Sequence, residues 1–172
     1  MAQTLDLRKI YFNAKNPKDC DEMLEILSIY ARRGFIITER SREVRVSSVA
    51  SFIQGIKHRN PLEFSVFNPR TEAFDFHESR TKKFARDFTP RMIEWNGQEI
   101  PYGSKAHQEL IEQAMQAKFD QNIDAMNALV ETAKRDTLIQ YLAITESPFT
   151  TLSGELFYKI LVYIREKEIA AR

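Results

Sequence analysis

Apolar residues recur at helical spacing most clearly between Leu110 and Ala133. In a first run they fall three or four positions apart, and the polar stretch Asp120–Asn122 separates them from a second run with the same period. This pattern predicts two amphipathic helices joined by a short turn, with their apolar faces packed together. The apolar positions are Leu110, Ile111, Ala114, Met115, Ala117 and Phe119 in the first run, and Ile123, Met126, Leu129, Val130 and Ala133 in the second.

Three more helices are predicted elsewhere in the chain. The first opens at Asn16–Pro17, where an early proline costs no hydrogen bond, and ends at Gly34, a residue common at C-caps. The second begins after Ser47 or Ser48 and the third after Ser153, because serine is a favoured N-cap residue. Their apolar faces comprise Met23, Leu24, Ile26, Leu27 and Tyr30 in the first, Val49, Phe52, Ile53 and Ile56 in the second, and Leu156, Phe157, Ile160, Leu161, Tyr163 and Ile164 in the third.

Two β-hairpins and several single strands are predicted between these helices. Phe35–Ile37 and Val44–Val46 are expected to pair across Arg40–Arg42, and Asn96–Gly97 between apolar runs is a strong signal for a two-residue hairpin turn. The other strand candidates are Leu7–Phe12, the alternating Leu62, Phe64 and Val66, and Ala73–His77. These elements predict an α+β fold, predominantly helical, in a single domain over residues 1–172, with residues 1–60 as an N-terminal α/β elaboration.

Charge and cysteine content narrow the function classes. The 25 Lys and Arg residues against 24 Asp and Glu give a net charge of +1, which is no strong signal for a nucleic-acid partner or for an anionic membrane surface. Cys20 is the sole cysteine, so an internal disulfide and a cysteine-based zinc site are excluded. Since no segment approaches 18 consecutive apolar residues and the first residues lack a signal-peptide core, we expect a cytoplasmic protein with no membrane partner.

The central helices also carry a motif. The pattern A-x-x-A-K-F-x-Q-N, a spacer, L-x-x-T and a further Leu resembles the helical core of the NADAR (YbiA-like) family. Asn96–Gly97, Ile100–Pro101 and His107–Gln108 resemble a degraded form of its upstream segment, G-x-x-W-P-[ST]-x-E-H-x-x-Q, and Leu152–Arg165 resembles its closing helix. The resemblance covers residues 84–168, and its central matches are Ala114, Ala117, Lys118, Phe119, Gln121, Asn122, Leu129, Thr132 and Leu138.

This resemblance implies a fold and a ligand class. It implies a NADAR-like helical core over residues 61–172 and a nucleotide or ADP-ribose-like ligand. The ligand-binding candidates are Lys118, His107, Tyr102 and Trp95. For Lys118, capping of the helix pair is the structural alternative to a phosphate contact. NADAR proteins cleave N-glycosidic bonds, either in riboflavin-pathway intermediates or in ADP-ribose attached to nucleobases. That chemistry needs a carboxylate at an oxocarbenium-like centre and a group that holds or protonates the leaving base.

The departures from the family pattern fall on the residues that would do this chemistry. The family's glutamate position corresponds to Ser104 or Lys105, its tryptophan before proline is Ile100, and its aromatic-Trp-Gly segment has no counterpart in residues 144–153. The substitute catalytic candidates are Glu99, His107, Glu109 and Glu112. The three histidines lack ligand-like spacing and there is no glycine-rich phosphate loop, so neither a metal nor a cofactor is predicted.

We therefore expect a non-catalytic binding or protein-interaction module on a degenerate NADAR-like scaffold, with a groove between the Asn96–Gly97 hairpin and the central helices for a nucleotide-like ligand or a protein partner. Two alternatives stay open. A divergent N-glycosidase would bring Glu99 or Glu109 together with His107 and Lys118 in one pocket. A virion or assembly component would expose a large apolar patch. The sequence favours the absence of catalysis without deciding it.

Overall fold

The structure is a computed structural model, and it describes residues 5–6, 26–29, 31–57, 65–68, 73–76, 90–134, 139–140 and 152–172. In chain order the elements are β1 (Leu5–Asp6), β2 (Phe35–Glu39), β3 (Arg42–Val46), α1 (Val49–Lys57), β4 (Ser65–Asn68), β5 (Ala73–Phe76), β6 (Met92–Trp95), β7 (Gln98–Pro101), α2 (Lys105–Gln121), α3 (Ile123–Lys134), β8 (Ile139–Gln140) and α4 (Gly154–Ala171). This confirms the prediction of a mixed α and β fold, and helices hold more of the described residues than strands do.

The strands form three separate sheets. The largest has the order β2-β3-β5-β4, in which β2–β3 and β4–β5 are antiparallel hairpins and β3 meets β5 in parallel at Val46 and Phe74. The second sheet is the β6–β7 hairpin, and the third pairs β1 with β8 in parallel. Strand β2 is therefore an edge strand of the four-stranded sheet.

Both predicted hairpin turns are confirmed, and both have the backbone of two-residue primed turns. Arg40 and Ser41 have φ values of 48° and 61°, and Asn96 and Gly97 have values of 52° and 76°. Positive φ at both central positions matches the right-handed twist of the flanking strands, and Asn-Gly adopts this conformation at the lowest cost. Arg40–Ser41 reaches it with two side chains that disfavour it, so the surrounding structure must hold this turn.

The helix starts predicted at Ser48, Ser104 and Ser153 are also confirmed. The Ser48 Oγ accepts from the Ser51 N–H at 3.1 Å, Ser104 accepts from the His107 N–H at 3.3 Å, and Ser153 accepts from the Leu156 N–H at 3.1 Å. Each bond satisfies one of the donors that a helix leaves free in its first turn.

The hydrophobic core gathers the faces predicted for α1, α2, α3 and α4 around α2. Helix α2 contacts α1, α3, α4, β2 and β7. The buried apolar residues of the four helices include Phe52, Ile53, Ile56, Leu110, Ile111, Ala114, Met115, Phe119, Met126, Leu129, Phe157, Ile160, Leu161 and Ile164. The central helix that the sequence pattern singles out is therefore the element against which the others pack.

Three sequence expectations are wrong. Tyr163, assigned to the apolar face of the last helix, is 54% exposed. The first helix does not reach Gly34: helical backbone ends at Leu27, and Gly34 leads directly into β2 with its carbonyl bonded to Asn122 Nδ2 at 3.0 Å. Ile123, assigned to the apolar stripe of the second central helix, is 70% exposed, because α3 begins at this residue immediately after the Asn122 break.

Several predicted segments lie outside the described residues. They are the strand Leu7–Phe12, the helix start at Asn16–Pro17, Leu62 and Phe64 of the strand before Asn68, and the motif position Leu138. Among the residues that are described, no helix is both long and apolar enough to cross a membrane.

Candidate functional site

The turn between β7 and α2 places His107. The Pro101 carbonyl accepts from the Ser104 N–H at 3.1 Å, and Gly103 has a φ of 75°, which is the pattern of a type II turn. Glycine supplies the positive φ without strain, and its N–H then points at the first turn of α2. There it donates to the Nδ1 atom of His107 at 2.9 Å.

His107 is buried with one nitrogen bonded and the other not. Its exposed fraction is 1%, and among the described residues its Nε2 atom has no hydrogen-bond partner. Because the Gly103 N–H occupies the Nδ1 lone pair, the neutral ring must carry its proton on Nε2. The imidazole therefore presents a buried N–H donor that has no acceptor among the described residues.

Tyr102 and Lys57 complete this cluster. The Tyr102 ring lies against the His107 ring with centroids 4.9 Å apart, and the Lys57 Nζ atom lies 6.0 Å from the Tyr102 centroid. Lys57 is the last residue of α1 and is 2% exposed. We call Lys57, Tyr102 and His107 the Lys57 cluster.

The two basic groups of the Lys57 cluster both have lowered pKa values. Burial, with the neighbouring Lys57 charge adding to it, lowers the pKa of His107 to about 4. Burial also lowers the pKa of Lys57 from its ordinary value. The cluster is thus a desolvated position with two basic groups, and the Nε2 donor of His107 has no partner among the described residues.

Lys118 lies at the other end of α2 and is fully engaged by the fold. Lys118 follows His107 by eleven positions, and this spacing corresponds to about 16 Å along the helix axis. Lys118 is 1% exposed, and its Nζ atom donates to the carbonyls of Ile26 at 2.8 Å and Ser28 at 2.7 Å. The lysine therefore ties α2 to the end of the preceding helical turn, and this geometry accounts for it without a ligand.

Gln121 and Asn122, the next polar residues of the motif, bind the adjoining segment. Gln121 accepts from the Ile36 N–H at 2.7 Å and donates to the Ile36 carbonyl at 2.8 Å. Asn122 Nδ2 donates to the carbonyls of Gly34 and Lys118. We call Lys118, Gln121 and Asn122 the motif brace, because all three bind the main chain of residues 26–36.

The motif threonine joins two helices. The Thr132 hydroxyl donates to the Leu129 carbonyl at 2.6 Å and accepts from Arg165 Nη1 at 3.1 Å. This places Arg165 of α4 on the buried end of α3. The L-x-x-T part of the motif therefore has a packing role in this chain as well.

Trp95 is placed in the core rather than at the Lys57 cluster. It is 8% exposed and meets the Phe52 ring edge-on, with centroids 5.4 Å apart. The tip of the β6–β7 hairpin, which carries Trp95, contacts the tip of the β2–β3 hairpin. There Arg40 donates its main-chain N–H to the Asn96 side chain at 2.7 Å, and its guanidinium pairs with Glu94. Of the four ligand candidates, only Tyr102 and His107 touch each other.

The candidate carboxylates lie on the surface. Glu99 is exposed on β7, and Glu109 is exposed on α2, where it pairs with Lys105 at 3.5 Å. Glu112 is half-buried on the same helix. Among the described residues, none of the three has a recorded bond to His107 or Lys118, the residues with which the glycosidase alternative would combine them.

Lys57 is the site residue that the sequence interpretation missed. Its signal was present: Lys57 follows Ile53 by four positions and Val49 by eight, so a helical α1 carries it on the apolar face. A cation on such a face is either paired or desolvated. Lys118 carries the same signal, since it follows Ala114 by four positions.

Comparisons with protein families, with curated proteins and with solved structures found no match to this chain.

Proposed function

We propose that this chain is a non-catalytic binding or protein-interaction module built on a NADAR-like helical core. One observation carries the proposal. The polar residues of the motif, which the resemblance implies would contact a ligand, form hydrogen bonds with the protein's own main chain instead. Lys118, Gln121 and Asn122 make five hydrogen bonds to backbone atoms of residues 26, 28, 34 and 36. A lysine held in this way is not free to contact a phosphate.

The positions of the carboxylates also support a module without catalysis. A glycosidase needs a carboxylate within reach of the reacting carbon and a second group at the leaving base. Glu99 and Glu109 are exposed to water, whereas His107 is buried. A binding module needs only a surface or a site that recognises its partner.

The partner of this module is a nucleotide-like ligand or another protein, and we place its action in the cytoplasm. Within the described residues, the large exposed apolar side chains are Ile123, Tyr163 and Ile169. Tyr163 is flanked on α4 by the exposed, charged Lys159 and Lys167, one turn away on either side. These side chains give the assembly-component alternative little support, because such a role favours a contiguous apolar patch.

The test is a turnover assay on the whole chain. Purified protein is incubated with ADP-ribose and with a panel of N-glycosidic substrates, and the products are separated by chromatography. We expect no free base and no free ribose phosphate above the buffer control. Release of either product that disappears in the Glu99→Gln or Glu109→Gln variant would overturn the proposal and identify the carboxylate.

A further inference from the structure

We propose that the Lys57 cluster is a binding site for an oxyanion group, either a carboxylate or a phosphate. The inference rests on the proposed binding function and deepens it by naming the chemistry of the ligand. Its starting point is His107, a residue 1% exposed whose Nε2 atom lacks a partner among the described residues.

The missing partner of His107 must be an acceptor. The Gly103 N–H donates to Nδ1 at 2.9 Å, so the ring proton of the neutral imidazole lies on Nε2. A buried N–H without an acceptor is costly, and native structures leave few such groups unsatisfied. A ligand oxygen bonded to Nε2 would remove that cost.

The charge beside His107 favours an acceptor that is negative. Lys57 is 2% exposed at the end of α1, and its electrostatic influence reaches the imidazole. In a desolvated position an N–H donor and an ammonium group favour an anionic oxygen over a neutral one, because the interaction with charge is strengthened in a low dielectric. Carboxylates and phosphates supply such oxygens.

Tyr102 lies between the other two residues of the Lys57 cluster and solvent. Its ring covers His107 at 4.9 Å and lies beside Lys57 at 6.0 Å, and the residue itself is only half-buried. It belongs to the turn that ends at Ser104, and a Cβ atom added to the neighbouring Gly103 would meet no other atom within 4 Å. Tyr102 is therefore the partly exposed member of the Lys57 cluster.

The experiment titrates the full chain with three probes: inorganic phosphate, acetate and ADP-ribose. Two-dimensional ¹⁵N NMR follows the side-chain nitrogens of the histidines, and calorimetry gives the affinities. We expect the Nε2 resonance of His107 to shift on binding. A response to phosphate or acetate alone identifies a small anion as sufficient, and a response to ADP-ribose alone identifies the phosphate of a larger ligand.

Variants then test the assignment of residues. His107→Asn keeps an acceptor near the position of Nδ1 and removes only Nε2, so we expect the affinity to fall about tenfold or more. Lys57→Met keeps the apolar stem and removes the charge, with an expected loss of similar size. Lys159→Met is the matched control, because it removes an exposed lysine of α4, outside the Lys57 cluster, and should leave the affinity unchanged within about twofold.

Two results would overturn the inference: no shift of His107 Nε2 with any of the three probes, or binding that His107→Asn and Lys57→Met leave intact. The NMR titration uses the unaltered chain, so the question is answered even if a variant does not fold. If no probe binds, the anion site is refuted, but the turnover assay still tests the non-catalytic function. If turnover is found, the non-catalytic function is refuted, but the NMR titration still tests the anion site. Failure of the site and failure of the proposed function are thus distinguishable.

Discussion

At the scale of single residues, two polar side chains lie on the buried face of α2 and differ in how fully they are hydrogen-bonded. Lys118 has both hydrogen-bond acceptors it needs in its neutral form, since an uncharged amine has two N–H donors and the carbonyls of Ile26 and Ser28 receive them. His107 has one bonded and one orphaned nitrogen. Sequence patterns locate such residues on the apolar face but do not show which atoms meet them.

Replacing Lys118 by methionine should destabilise the fold. The substitution conserves the apolar stem but leaves the carbonyls of Ile26 and Ser28 without their donor, at a cost of about 1–3 kcal/mol in the free energy of unfolding. Urea denaturation measures it. Lys105→Met, on the exposed start of the same helix, is the control and should change stability by less than about 0.5 kcal/mol. Equal stability of the two variants would contradict the role assigned to Lys118.

The pKa of Lys118 predicts a rise of stability with pH. Burial, with Arg33 adding to it and Asp124 opposing it, lowers this pKa from 10.5 to about 7. Between pH 7 and 10.5 the unfolded chain binds a proton here that the folded chain does not, so the free energy of unfolding increases with pH. The increase is at most about 1.4 kcal/mol per pH unit. Urea unfolding at several pH values should show a steeper rise for the wild type than for Lys118→Met, in which the burial of Lys57 still contributes.

The lowered pKa of His107 predicts a loss of stability at acid pH. Its folded pKa of about 4 lies below its ordinary 6.5, so stability is complete above pH 6.5 and is lost as the pH falls toward 4. His107→Asn should lack this part of the loss. Subtracting the variant's unfolding free energy from that of the wild type removes the contribution of carboxylates common to both. A difference that does not vary between pH 4 and 6.5 would refute the burial argument.

At the scale of elements, the edge of β2 is covered by amide side chains. In a two-residue hairpin the pair beside the turn is hydrogen-bonded, so Ile36 and every second residue after it turn their main-chain groups away from β3. Gln121 binds both groups of Ile36, and Asn96 binds the N–H of Arg40. The end of α2 and the tip of the β6–β7 hairpin therefore protect a strand edge that would otherwise invite pairing with another chain.

Gln121→Ala should expose this edge locally. We expect faster hydrogen exchange at the Ile36 amide, because it loses its acceptor, and little change at Ile37, whose main-chain groups face β3. NMR-detected exchange resolves the two positions. Gln116→Ala is the control, since that side chain bonds only to Asp120 on the exposed face of α2. Equal rates at Ile36 in wild type and Gln121→Ala would contradict the edge interpretation.

The elements themselves were largely predictable, because each is specified locally. Serine caps, apolar periodicity and Asn96–Gly97 fix α1, α2, α4 and the β6–β7 hairpin from neighbouring residues. The end of the first helix was not predictable in this way. Its carbonyls at residues 26 and 28 are bound by Lys118, more than 85 positions along the chain, so Gly34 was not needed as a cap.

At the scale of the whole molecule, α2 is the organising element and the motif brace is its attachment to the rest. The apolar face of α2 packs against three helices, while its last turn binds residues 26–36 through side chains. Those residues in turn hold α1, since the Ala50 N–H donates to the Ile29 carbonyl at 2.9 Å. The motif lies on the central helix of the fold, and its polar residues bind that helix to the main chain of residues 26–36.

The candidate site was only half predictable for a related reason. Tyr102 and His107 lie five positions apart and were both proposed from the degraded motif. Lys57 joins them only because α1 packs against α2, a contact across about fifty residues that no local pattern encodes. The sequence therefore predicted two members of the Lys57 cluster and could not predict the third.

The most direct test of the account is amide hydrogen exchange on wild type and Lys118→Met, read residue by residue. If the motif brace holds the segment that precedes β2, the variant should lose protection at Ala31 and Ala50, whose N–H groups donate to Ser28 and Ile29. The β6–β7 hairpin should exchange as in the wild type. Unchanged protection at Ala31 and Ala50 would contradict the account and return Lys118 to the list of ligand-binding candidates.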